Sequence, residues 1–127
     1  MQLISEEIAL LLDYSADARN TESFEIPSWA TFIGVFIPTF TVDAVVRLQI
    51  SRDNGANFVY VLDQADGEPV EICASGSDPA YVDISDWLRA FLGAPNQNVG
   101  RKYKVRFVHY DADETTSDKT FYVVCRA

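Results

Sequence analysis

The stretch from Ser51 to Phe58 places the tightest constraint on how this chain folds. It reads Ser-Arg-Asp-Asn-Gly-Ala-Asn-Phe, and it lies between an alternating run, residues 46–50, and a second apolar run, residues 58–62. Asp, Asn and Gly between two such runs are typical of a tight turn, because Asn and Gly tolerate the positive φ that these turns require. The sequence therefore predicts a β-hairpin that covers about residues 44–52 and 57–63.

The rest of the 127-residue chain repeats this pattern of short apolar segments separated by turn residues. Residues 8–14 also fit a helical period, but a strand is preferred because the surrounding chain is built from strands. The predicted strands are residues 8–14, 24–26, 31–37, 44–52, 57–63, 70–74, 81–84, 102–110 and 120–125. Residues 86–92 are predicted to form a brief helix capped by Ser85. Eight or nine strands with one short helical turn predict a single all-β domain over residues 1–127, a jelly-roll-like antiparallel β-sandwich.

Charge and hydropathy exclude several classes of partner. The net charge is −9, and no basic stripe is visible that could hold phosphates, so we expect no direct binding to nucleic acid. The same acidity disfavours anionic membranes, and no apolar run approaches the ~20 residues of a membrane-spanning helix. Nothing at the N-terminus has the basic region of a signal peptide. Cys73 and Cys125 are interpreted as two buried free thiols, with a disulfide between neighbouring strands left open.

The Ser51-x-Asp53-x-Gly55-x-x-Phe58 spacing resembles the Asp-box, a hairpin signature that is repeated in sialidases and propeller proteins. In those proteins the motif is structural: the Ser and Asp side chains bond to the turn backbone, and the aromatic residue packs below. A single copy cannot build a propeller. We therefore expect these four residues to form a structural turn and not a catalytic site.

No constellation of residues in the sequence indicates an enzyme, a metal site or a cofactor. His109 is the one histidine, and it falls in phase with Val105 and Phe107, which indicates a core or strand-end position. The acidic clusters at residues 63–68 and 111–114 do not fit the EF-hand template and are interpreted as solvated turns. We expect a non-enzymatic protein with no catalytic residues, no metal and no cofactor.

An aromatic-rich segment contains Trp29, Phe32, Phe36 and Phe40. Most of these side chains are expected in the core. Any that is exposed could stack on a sugar or anchor a protein interface.

Read from end to end, the order of these pieces resembles small β-sandwich proteins encoded among the virion structural genes of tailed bacteriophages. Residues 24–27 and 31–38 are segments that end in Pro, residues 45–55 end in the Ser-x-Asp-x-Gly turn, and residues 103–107 alternate basic and apolar side chains. The resemblance covers roughly residues 20–125. Residues 1–20 lie outside it, and we expect them to form an N-terminal arm and the first strand.

The resemblance implies a bacteriophage virion structural protein that decorates or cements the capsid, located in the virion after assembly in the host cytoplasm. Capsid or other virion proteins would be its partners, and a homo-oligomer is expected, with a trimer suited to a three-fold capsid site. Met1, Gln2, Leu3 and Ile4 are the expected partner interface, since they precede the first strand. Two alternatives stay open: a carbohydrate-binding module for host-surface glycans, and a neck or tail accessory protein.

Overall fold

Nine β-strands form two antiparallel sheets in the described part of the chain. The structure, a computed structural model, describes residues 4–13, 20–40, 44–74, 79–92, 103–109 and 118–127. The strands are β1 (Ser5–Leu12), β2 (Phe24–Glu25), β3 (Phe32–Ile37), β4 (Ala44–Ser51), β5 (Val59–Tyr60), β6 (Glu71–Ala74), β7 (Ala80–Asp83), β8 (Lys104–His109) and β9 (Lys119–Arg126). Sheet 1 has the order β1-β9-β3-β7, and sheet 2 has the order β2-β8-β4-β5, with β6 also paired to β4. The predicted all-β sandwich is confirmed, and its jelly-roll-like character stays a prediction.

Aromatic rings from both sheets meet in the core. Phe107 on β8 stacks against Phe121 on β9, with ring centroids 5.4 Å apart and planes 15° from parallel. Phe40, which follows β3, contacts Phe121 edge-on at 6.2 Å. All three side chains are fully buried. Truncating one of them to Ala is expected to cost about 3–5 kcal/mol, because the apolar contacts are lost and a cavity remains.

β5 and β6 lie along the same edge of β4 and are separated by a projecting turn. Gln49 pairs with Tyr60 and Arg47 pairs with Glu71, so only one residue of β4 lies between the two pairings. Residues 61–70 connect β5 to β6 and project from the sheet at this point. The predicted hairpin is confirmed, but its second strand is shorter than the predicted residues 57–63. At Leu62 the chain leaves β4 and bridges to Pro69 instead.

The predicted helix is a 3-10 helix at Asp86–Phe91, and Ser85 does not cap it with its side chain. The Ser85 hydroxyl instead accepts a hydrogen bond from the Ile33 amide at 2.9 Å and donates one to the Ile33 carbonyl at 3.2 Å. Ser85 is therefore the N-cap residue, as predicted, but its hydroxyl bonds to a strand that is distant in sequence and not to the helix. The bonds to Ile33 fasten the start of the helix to sheet 1.

Strand β1 begins earlier than predicted. Its first residue is Ser5 rather than Ile8, because β9 continues to Arg126 and supplies Ser5 with a partner. Leu10 and Leu12 face the core, and Tyr14, the last residue of the predicted strand, lies outside the described residues.

The one cysteine whose side chain is described, Cys125, is a buried free thiol, as predicted. Burial raises its pKa to about 11. The side chain of Cys73 lies outside the described part of the chain.

Candidate binding surfaces

The Ser51–Phe58 turn is held by side chains that bond to its own backbone. The Ser51 hydroxyl accepts hydrogen bonds from the Gly55 amide at 2.9 Å and the Asp53 amide at 3.3 Å, and it donates to Asp53 Oδ1 at 2.7 Å. Asn54 and Gly55 adopt φ values of 62° and 89°, the positive φ that the sequence predicts for them. This arrangement orders the loop between β4 and β5.

Asp53 is the acidic residue that accepts hydrogen bonds within the turn. It accepts hydrogen bonds from the Asn57 side chain at 2.8 Å and the Asn57 amide at 2.9 Å. These bonds, together with the bond from Ser51, favour the ionised form and lower the pKa of Asp53 from 3.8 to about 2. An acid so firmly ionised, with its oxygens engaged in the turn, is poorly suited to exchange protons near neutral pH.

The aromatic residue of the motif packs against sheet 2. Phe58 is half-buried, and the Arg106 guanidinium carbon lies 3.9 Å from the centre of its ring. Arg106 is held in place by a hydrogen bond from its Nε to Gln49 Oε1 at 2.8 Å. Phe58 therefore joins the turn to a cation–π contact on β8.

A cleft of about 500 Å³ lies beside this turn. Phe91 and Tyr103 line it, with ring centroids 4.7 Å apart, and Arg52 and Asn57 are among its polar lining residues. Tyr103 directly follows the segment 93–102, which lies outside the described residues, and Phe91 is two residues before it.

His109 lies in the core, as the sequence predicts. It is 2% exposed, and its ring stacks on Phe40 with centroids 4.9 Å apart and planes 4° from parallel. In the part of the chain that the structure describes, no three His, Cys, Asp or Glu residues are placed to share a metal ion. The acidic cluster at residues 111–114 falls outside that part.

The outer face of sheet 1 carries a row of aromatic side chains, which we call the aromatic row: Tyr122, Phe36 and Tyr81. Tyr122 on β9 pairs with Phe36 on β3, which pairs with Tyr81 on β7. Their exposed fractions are 43%, 47% and 47%. β3 is a central strand of sheet 1, but it is not buried on both faces, since Phe36 points to solvent.

Strand β1 forms one edge of sheet 1. The backbone N–H and C=O groups of Leu11 point away from β9. Its amide donates a hydrogen bond to Glu22 Oε1 and its carbonyl accepts one from the Glu22 amide, both at 2.9 Å. Backbone direction alternates along a strand, so Ser5, Glu7 and Ala9 also point outward. All three are exposed, and no other described residue bonds to these outward groups. We call these three residues the free edge.

Of the predicted partner interface, Met1, Gln2 and Leu3 lie outside the described residues. Ile4 is described and is 48% exposed. Its carbonyl accepts a hydrogen bond from the Ala127 amide at 3.0 Å, so Ile4 extends the contact of β1 with the C-terminal end of β9.

Comparisons with models of known protein families, with curated proteins and with solved structures found no match. Among the described residues, no helix is long and apolar enough to cross a membrane.

The sequence interpretation missed Tyr81, Tyr122 and the free edge. The alternation in β9 carried part of the signal, since Phe121 and Val123 face the core and Tyr122 lies between them. Which strands are neighbours, and hence which rings form a row, depends on pairings between residues far apart in sequence.

Proposed function

We propose that this chain is a non-enzymatic structural protein of a tailed-bacteriophage virion that decorates the capsid, attached by protein contacts alone. The observation that carries the proposal is the free edge of β1. An exposed strand edge presents a row of backbone donors and acceptors, and an extended segment of another protein can add to it as a further strand.

The charge of the free edge favours a basic partner over a second copy of this chain. A copy that paired antiparallel through Ser5, Glu7 and Ala9 would place Glu7 opposite Glu7, and like charges directly opposite destabilise a sheet. The net charge of −9 also favours a basic partner segment at this edge. The proposed partner segment is therefore an extended stretch of a capsid protein with Lys or Arg opposite Glu7.

The course of the chain between the sheets also supports the proposal. β1, β3, β7 and β9 belong to sheet 1, and β2, β4, β6 and β8 belong to sheet 2, so the chain crosses repeatedly from one sheet to the other. β5 and β6 act as the two halves of one strand position. This order fits the jelly-roll-like description, an architecture that includes viral capsid domains. The proposal includes a homotrimer at a three-fold capsid site, and a position at the neck or tail stays its alternative.

Mass spectrometry of particles purified from the phage that encodes this chain tests the virion assignment. We expect the chain to be present in many copies per particle. Its absence from purified particles, with presence only in infected-cell lysate, would overturn the assignment.

A backbone substitution tests the free edge. Ala9→Pro removes an outward-pointing N–H that no bond to β9 uses, and proline is tolerated at such edge positions. The variant is expected to fold but to show reduced occupancy on the particle. Glu7→Lys should also reduce occupancy, whereas Glu68→Lys, an equal charge change in the turn between β5 and β6, should not. Full occupancy of a folded Ala9→Pro variant would exclude strand addition at β1.

A further inference from the structure

We infer that the aromatic row on sheet 1 is a binding site for a neutral oligosaccharide of hexose units. This function goes beyond attachment to a capsid. The aromatic row adjoins the free edge of β1, since Tyr122 pairs with Ala9, but it uses side chains on the outer face of sheet 1, whereas strand addition uses the backbone groups of the edge. The proposal rests on the position of Tyr81, on the charges beside the row and on the area of the exposed rings.

Tyr81 lies down on the sheet because Gly34 leaves room for it. A Cβ atom at Gly34 would overlap the Tyr81 hydroxyl oxygen and would lie 2.6 Å from its Cζ and 2.9 Å from its Cε2. The outer end of the tyrosine ring therefore rests over the backbone of the neighbouring strand β3. One edge of the ring contacts Phe36, with centroids 4.6 Å apart and planes tilted by 49°.

A ring held in this way presents a π-face to solvent with little freedom to move. The face of an aromatic ring carries partial negative charge, and the axial C–H groups of a pyranose carry partial positive charge. Stacking of the two surfaces joins this attraction to the burial of apolar area. The hydroxyl groups at the rim of the sugar stay free to bond to polar groups at the rim of the site.

The charges beside the aromatic row favour a ligand without negative charge. The adjacent row across the sheet runs Glu7, Val124, Gly34 and Asp83, so it has a carboxylate at each end. Asp83 accepts a hydrogen bond from the Ser85 amide at 2.8 Å through Oδ1, which leaves Oδ2 to accept from a sugar hydroxyl. Sialylated or sulfated glycans and nucleic acids would be repelled by this pair and by the net charge of −9.

The size of the row fits a short glycan better than a second protein surface. At their exposed fractions, the rings of Tyr122, Phe36 and Tyr81 offer together roughly 300 Å² of surface. A standard protein interface buries about 800 Å² per partner. Three adjacent strands are ~10 Å apart from first to last, about the length of two hexose units.

Isothermal titration of the full chain with cellohexaose, maltohexaose, mannohexaose and galactohexaose tests the proposal. At least one of these neutral probes is expected to bind with Kd below about 1 mM. Tyr81→Ala and Phe36→Ala should each weaken that binding at least about tenfold, a loss of ~1.4 kcal/mol. Tyr60→Ala, which removes a tyrosine of 36% exposure on sheet 2, is the matched control and should bind as the wild type does.

Gly34→Ala is the decisive variant, because it keeps every aromatic side chain and only displaces the Tyr81 ring. It should lose binding to the same extent as Tyr81→Ala, and its melting curve reports separately that it is folded. An NMR shift of the Tyr81 ring protons on titration provides a second readout.

Three results would overturn the proposal. One is the absence of binding to all four probes at 10 mM, roughly ten times the expected upper limit for Kd. Another is equal loss of binding in Tyr60→Ala. The third is a concentration-dependent dimer that Tyr81→Ala abolishes, which would assign the row to a second copy. None of them affects the virion proposal, whose tests use Ala9 and Glu7.

Discussion

Replacing Ser51 with Ala is expected to destabilise the protein more than a surface serine substitution would. The Ser51 side chain is fully buried, and its hydroxyl takes part in three hydrogen bonds at 2.7, 2.9 and 3.3 Å. Each such bond contributes about 1 kcal/mol net, and buried groups that lose a partner cost more. The free energy of unfolding should therefore fall by about 2–4 kcal/mol.

Urea denaturation and thermal melting followed by circular dichroism measure this change. For a chain of this length the melting temperature should fall by roughly 8–15 °C. Ser28→Ala, at an exposed position in the turn after β2, is the control and should stay within about 0.5 kcal/mol of the wild type. A loss below about 1 kcal/mol for Ser51→Ala would show that water replaces the hydroxyl, and the account of the turn given above would be refuted.

Three further predictions concern Gly55, Asp53 and Cys125. Gly55→Val should destabilise the fold by about 1–3 kcal/mol, because a β-branched residue is strained at positive φ. The loss should exceed that of Gly67→Val, since a Cβ atom at Gly55 would lie 3.3 Å from the Lys104 side chain, whereas a Cβ atom at Gly67 would have no neighbour within 4 Å. Equal losses of stability in urea titrations would contradict the contact with Lys104. Asp53 contributes stability that is complete above its unfolded pKa of 3.8 and lost as the pH falls through about 2. The free energy of unfolding should therefore fall less steeply with decreasing pH in Asp53→Asn than in the wild type. Identical curves for the two proteins would refute the pKa shift. Cys125 in the native protein should react with iodoacetamide at pH 8 far more slowly than it does in the unfolded chain, because burial raises its pKa to about 11. Mass spectrometry detects the labelling, and rapid labelling of the native protein would count against the burial of Cys125.

The local chemistry of the sequence determined the hairpin, the number of strands and the class of the fold. Asn54-Gly55 between apolar runs indicates a turn, because few residues accept positive φ. The alternation of Val105, Phe107 and His109 indicates a buried face, because side chains alternate along any strand. These signals lie within a few residues of one another, so no knowledge of the rest of the chain is needed to read them.

Only the tertiary structure decided where the strands end and what the outer surfaces present. β1 begins at Ser5 because β9 offers it a partner, and Ser85 bonds to Ile33 because the fold brings β3 to it. The aromatic row likewise depends on register: Tyr122, Phe36 and Tyr81 are far apart in sequence and adjoin only through two strand pairings. Pairing between distant segments is selected by the packing of the whole core, and a shift of one residue would turn each ring to the opposite face.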